Sequence, residues 1–359
     1  MTRIPAGARI CADFFWVGVN NYGIWGFDII KVDEKSNKRL SRRVIIWILV
    51  GLATVIVGLV VFDMVGSRPG MRPANPYEYS VDQFKNVDST LIKYTETIDF
   101  TFGDLDLRGI AFANDRLYLV EDNFLVIVSP EGKKLAKSEL PESPSCVTAS
   151  SSNIYIGYRN FIGQYDLDGR WIKNWESLND STVITSLAVA DSLLFAADAG
   201  NRRVLRYHTN GTLSDSFTGK RASADLHGFI IPSPYFELAV NAFGELWVVN
   251  PGKHAFENYT FDGQLRGFWE NSSMTIDGFS GCCNPARIAV LADGSFVTAE
   301  KGMVRIKIHK ASGELLAVVA PPESFEGGIH APDLAVSPSG DIYALDYDRK
   351  MVRVFQLKK

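Results

Sequence analysis

An all-β, six-bladed propeller behind one membrane-spanning α-helix is the fold class that the sequence predicts. Three observations carry it: a short apolar triplet that recurs six times, a turn-and-strand pattern after each copy, and a stretch of nineteen uncharged residues well before the first copy. The chain has 359 residues, with 37 Lys and Arg against 41 Asp and Glu. That balance supplies no chain-wide basic footprint for nucleic acid, and none is expected as a partner. Four cysteines exclude a disulfide-stapled miniature fold, and 46% hydrophobic content excludes a mainly disordered chain.

The uncharged stretch is VIIWILVGLATVIVGLVVF, residues 44–62. A helix of that length reaches about 28 Å, enough for a bilayer core, and it lacks the polar face of a soluble helix. Lys31, Lys35, Lys38, Arg39, Arg42 and Arg43 precede it, whereas only Arg68 and Arg72 follow closely. The positive-inside rule then expects residues 1–43 in the cytoplasm and everything after Phe62 outside a bacterial cytoplasmic membrane, periplasmic or extracellular, on an uncleaved single-pass anchor. A cleaved signal peptide is the rival reading, but Asp63-Met64-Val65-Gly66-Ser67 is not a small-residue cleavage pattern. The aromatic and glycine-rich residues 14–30 are expected at the membrane interface or in a loosely ordered tail. Residues 63–89, with Pro69, Pro73 and Pro76, read as an extended linker to a folded domain over 90–359.

The triplets start at Ile110, Val147, Leu187, Leu238, Ile288 and Leu334, at spacings of 37, 40, 51, 50 and 46 residues. This is the size of a four-stranded propeller blade. Each triplet leads into a turn and a second β-branched or aromatic run, such as LYLV, IYIG or LWVV. A third strand follows, and the next turn carries Gly132, Gly169, Gly211, Gly263 or Gly313, because tight hairpins need residues that tolerate positive φ. The sixth unit stops after its third strand. Residues 94–102 (YTETIDFTF) alternate apolar and polar and are expected to supply the missing strand, with Ile98, Phe100 and Phe102 inward, closing the ring and covering its last edge.

In this topology the loops between blades and the loops between second and third strands share one face, the expected functional mouth. Glu121, Asp198, Asn250, Glu300 and Asp346 stand at equivalent ends of second strands, and with Arg287 they form the candidate binding set. The alternative is that these groups cap their own turns by accepting backbone N–H bonds. Three long inter-blade loops carry His227, the adjacent Cys282 and Cys283, and His330. Imidazole and thiolate suit zinc or copper, so a metal ion held by these four is one reading, although adjacent cysteines fit one metal poorly. A vicinal, structural or redox-active disulfide is a second reading, and plain reduced packing is a third. No catalytic residue and no cofactor beyond that metal alternative are predicted. His208, His254, His309, Cys146 and Cys11 read as packing or surface residues, and Arg202, Arg203, Arg206, Arg305 and Arg353 as solvated strand positions. The chain has no Gly-x-Ser-x-Gly elbow, His-Glu-x-x-His, Walker loop or Cys-x-x-Cys-His haem site.

The segments LLFAADAGNRRVLRYHTNGTL (193–213) and DYDRKMVRVF (346–355) carry an acidic residue, a short turn and an Arg-containing strand. In this they resemble the NHL-repeat family of six-bladed propellers, over about residues 94–359. The block GFSGCCNPARIAVLADGSFVTAEKG (278–302) is similar to one in membrane-anchored bacterial NHL-like propellers, which implies a neighbourhood of membrane electron-transfer proteins without implying a reaction. The leading expectation is a membrane-anchored module that binds a protein at the mouth or in the membrane. A metal-dependent propeller hydrolase or lyase, or a thiol/disulfide redox protein using Cys282 and Cys283, is the alternative.

Overall fold

The computed structural model describes residues 42–66, 81–101, 106–220 and 228–359. A helix, α1, spans Arg42–Gly66 and includes a stretch, Arg42–Met64, long and apolar enough to cross a membrane. Its 25 residues extend about 37 Å. The expected linker begins inside this helix. Its described later part forms two short 3-10 turns, Val81–Phe84 and Ser89–Leu91, the second capped by Asp88, whose carboxylate accepts from Thr90 N.

Six antiparallel four-stranded sheets follow, as the repeat spacing predicts. The innermost strands are Leu107–Ala113, Cys146–Ala149, Ile184–Ala190, Leu238–Val240, Arg287–Val290 and Asp333–Val336. Each packs against the innermost strand of the next blade, and the sixth packs against the first, so the ring is closed. All six predicted triplets lie in these strands. The core is correspondingly divided into six apolar clusters, one between each pair of neighbouring blades. The glycines of the outer hairpin turns have φ between 81° and 94°, the left-handed region that a side chain resists.

Tyr94–Thr101 forms the outermost strand of the sixth blade and runs antiparallel to Met351–Leu357. The strand is where the sequence predicts it, but its inward pattern differs. A bulge between Glu96 and Ile98 shifts the register, and on this outer edge Ile98 is 41% exposed and Phe100 half-buried, while Tyr94 is buried in the core. Phe102 lies outside the described residues. Glu96 instead supplies the strand's polar anchor: both its carboxylate oxygens accept from Arg353, at 2.8 and 2.6 Å.

Candidate functional site

The six innermost strands begin at one face, and the residue just before each triplet occupies an equivalent place there: Gly109, Cys146, Ser186, Glu237, Arg287 and Asp333. Three consecutive blades therefore contribute a carboxylate, a guanidinium and a carboxylate to the neck of the central channel. Arg287 Nη1 lies 2.6 Å from Glu237 Oε1, and its Nε lies 3.9 Å from Asp333 Oδ1. Asp333 also accepts from Ile110 N across the closing blade junction. Tyr347 Oη, 3.5 Å from Arg287 Nη2, donates to the Arg108 carbonyl.

Arg287 lines two cavities. Below it is a narrow channel of about 280 Å³ between the inner strands. Above it is a mouth of about 630 Å³, walled by Arg108, Pro144, Pro234, Tyr235, His330 and Tyr347 among others. Tyr235 is held between cations, with Lys301 Nζ 4.9 Å and the Arg287 guanidinium 5.7 Å from its ring centre. His330 Nδ1 lies 2.6 Å from Asp348 Oδ1, and the same carboxylate group accepts from the Ile329 and His330 backbone.

Burial raises the Glu237 carboxyl to about 7, outweighing the neighbouring Arg287, while Asp333 adds repulsion. Asp333 is likewise pushed up by burial, against the pull of Arg287. The folded state thus holds the Glu237 proton more tightly than the unfolded chain, whose carboxyl titrates near 4.5. Between those values the folded state binds more protons, so this group's contribution to stability falls as pH rises from 4.5 and is fully lost above 7. The difference amounts to about 3 kcal/mol. Melting curves of Glu237→Gln and the parent across this window are expected to converge or cross, with the parent losing more on going to pH 7. Parallel profiles would contradict the assignment.

The predicted binding set separates into two groups. Arg287 stands in the mouth floor. Glu121, Asp198, Asn250, Glu300 and Asp346 are all buried within the blades and held there by partners. Glu121 meets Lys137 Nζ at 2.7 Å. Asp198 pairs with Arg203 at 2.9 Å and accepts from Val183 N and Asn201 N. Asn250 accepts from Ile230 N and donates to Glu257 at 2.9 Å. Glu300 contacts Arg305 at 2.6 Å and Lys307 at 2.8 Å, and Asp346 contacts Arg349 and Arg353 at 3.3 Å. Apart from Glu121, whose partner lies in its own blade, these side chains clasp the inter-blade loops to the sheets directly or through their arginines, with Arg305 and Arg353 buried as counterions rather than solvated.

Of the proposed metal ligands, His227 lies outside the described residues and His330 is engaged with Asp348. Among the described residues no three His, Cys, Asp or Glu side chains converge where they could hold a metal ion. Cys282 and Cys283 are free thiols with sulfurs 2.8 Å apart at the rim, where Ser233 Oγ approaches Cys283 Sγ at 2.9 Å. Cys146, alone and buried, has its thiol pushed up to about 12 by burial. His309 packs on Phe279 and Trp269, and burial depresses its imidazole to about 3.

Sequence reasoning missed Glu237, Asp333 and Tyr347. Its signal was one residue away, in Glu237-Leu-Ala-Val, Arg287-Ile-Ala-Val and Asp333-Leu-Ala-Val, where a charge immediately precedes the repeated triplet.

No protein-family model and no curated protein matches the chain. Solved structures do. Selenomethionine-substituted virginiamycin B lyase from Staphylococcus aureus superposes with a TM-score of 0.52 at 13% identity, covering 74% of this chain and 100% of that one. A structural-genomics protein of unknown function from Bacteroides thetaiotaomicron gives 0.53 at 15% identity over 72% of each chain. The WD40 propeller domain of Doa1 gives 0.50 at 13% identity, over 74% of this chain and 98% of that one. At these identities the likeness is one of fold: this chain carries a six-bladed β-propeller, with an apolar helix ahead of it that is a candidate membrane span.

Proposed function

We propose that this protein is a membrane-anchored, extracytoplasmic propeller that binds a protein partner in its mouth. The observation that carries this reading is the cavity of about 630 Å³ above Arg287, with tyrosine and proline walls. Tyrosine and arginine dominate the energetic centres of protein interfaces, and a cavity this size admits a few side chains of an inserted segment. The excess of Lys and Arg before the apolar helix supports a cytoplasmic N-terminus and a periplasmic or extracellular propeller. The pattern of the third and sixth blades supports an NHL-type assignment, and the Gly281-Cys282-Cys283-Asn284-Pro285 loop supports a place beside membrane electron-transfer proteins. A metal-dependent hydrolase or lyase receives less support, because Glu300 and Asp346, the acids it would use, are spent on buried cations.

A photo-crosslinking amino acid at Tyr235, in the full chain in intact membranes, is expected to yield a discrete adduct with a second protein. The same probe at Phe243, 69% exposed in the turn at the opposite end of the innermost strand, is expected to yield none. An adduct from Phe243 and not from Tyr235 would move binding to the other face and overturn the proposal.

A further inference from the structure

We infer that Cys282 and Cys283 form a dithiol/disulfide exchange site in which Cys282 attacks an accessible organic disulfide and Cys283 resolves the product into a vicinal disulfide. This function is separate from partner binding and rests on different residues.

Two features of the loop carry it. First, the two sulfurs are already 2.8 Å apart, with Cys282 exposed and Cys283 almost wholly buried, so one thiol meets solvent while the other waits behind it. Second, the loop is fixed. The Asn284 side chain donates to Ser280 O at 2.6 Å and to Lys301 O at 3.1 Å, and accepts from Lys301 N at 2.9 Å. The Asn284 carbonyl also meets His254 Nδ1 at 2.7 Å, and Arg305 and Lys307 both donate to Gly278 O. Restraint of this kind turns the second exchange step into an intramolecular one of high effective concentration. Burial and the neighbouring Cys282 thiol push the Cys283 thiol above its ordinary value, and the hydrogen bond donated by Ser233 Oγ and the charge of Lys301 offset only part of that rise, which suits Cys283 to the later, resolving step. Ser233, which contacts Cys283, stands two residues before Tyr235 of the mouth wall.

The chemistry balances. Cys282 loses a proton to solvent and attacks one sulfur of the disulfide R–S–S–R, forming a mixed disulfide and expelling RS⁻. Cys283 then loses its proton and attacks the Cys282 sulfur, expelling the second RS⁻. The two thiolates take up the two protons, so the protein dithiol is oxidised and R–S–S–R is reduced to two R–SH. Adjacent residues hold their Cα atoms about 3.8 Å apart. That is shorter than the usual disulfide span, which strains the product and makes it easily reduced again. A reversible couple follows, whereas Cys146 is buried with no second cysteine beside it among the described residues.

The test treats reduced full-length protein in detergent with oxidised glutathione, followed by thiol alkylation and peptide mass analysis. The expected result is that the peptide carrying both cysteines loses the mass of two hydrogens and escapes alkylation, and that mild reductant restores it. In Cys283→Ser, Cys282 should be trapped carrying one glutathionyl group. In Cys282→Ser, no adduct should form at a comparable rate. Melting curves confirm that each variant is folded. Two thiols that remain alkylatable in the parent, or a parent that stops at the Cys282 mixed disulfide, would overturn the inference.

Discussion

Replacing Glu300 with Ala is expected to lower the stability of the propeller by about 3–5 kcal/mol, because it strands two cations in the fifth blade. Arg305 and Lys307 have no exposed side-chain surface, and both pair with this one carboxylate. Burial already depresses the Lys307 ammonium to about 8, with Glu300 holding it up, so loss of the carboxylate removes the main group that keeps it charged. The consequence reaches the rim. Arg305 donates to Thr275 O and Gly278 O, Lys307 donates to Gly278 O, and its ammonium sits 4.3 Å from the Phe279 ring centre. This cluster thus ties down the loop that ends in Cys282 and Cys283. Thermal melting should show a drop of about 10 °C for Glu300→Ala. Glu300→Gln, together with Lys307→Met, removes opposite charges at similar volume but still leaves Arg305 without its carboxylate, so it should recover only the part of the loss that Lys307 causes. A Glu300→Ala melt equal to the parent's would show that these charges are hydrated.

Much of the fold was legible from the repeated triplets, because the innermost strand of each blade must be small and apolar where six strands meet. Their spacing sets the blade size, and the unfinished sixth unit pointed to residues 94–102 as its missing strand, which forms over Tyr94–Thr101. The outward turn of Ile98 was not legible, since a bulge inserts a residue without any compositional mark. The site was harder to read. A carboxylate at the end of a second strand looks alike whether it faces a mouth or a buried arginine. The distinction lies in cross-strand register, where Asp198 opposes Arg203 and Glu300 opposes Arg305. That register follows from hairpin length, and it converts supposed mouth ligands into internal ion pairs. The mouth charges Glu237, Arg287 and Asp333 each stand alone in their own strand and become a cluster only when the ring brings three blades together.

The closing strand carries the other large effect. Deleting residues 94–101 removes Tyr94 from the core between the fifth and sixth blades, a loss of about 3–5 kcal/mol for a buried aromatic. It also removes the ladder to Met351–Leu357 and the two-pronged Glu96–Arg353 pair, leaving a nearly buried arginine to rely on Asp346, which Arg349 shares, and a strand edge open. Against a total stability of about 5–15 kcal/mol, these losses should abolish cooperative unfolding and drive aggregation. The shared mouth exists only if the ring is closed by this strand, and the most direct measurement is a cross-link between its two ends in sequence. In the full chain with its native cysteines replaced by Ser, Thr101 and Met351 are paired across the ladder and are changed to Cys. The account predicts that mild oxidation joins them within one molecule, seen as fast migration on a non-reducing gel and the loss of two alkylatable thiols at any protein concentration. Thiols that stay free, or that link only between molecules, would contradict it.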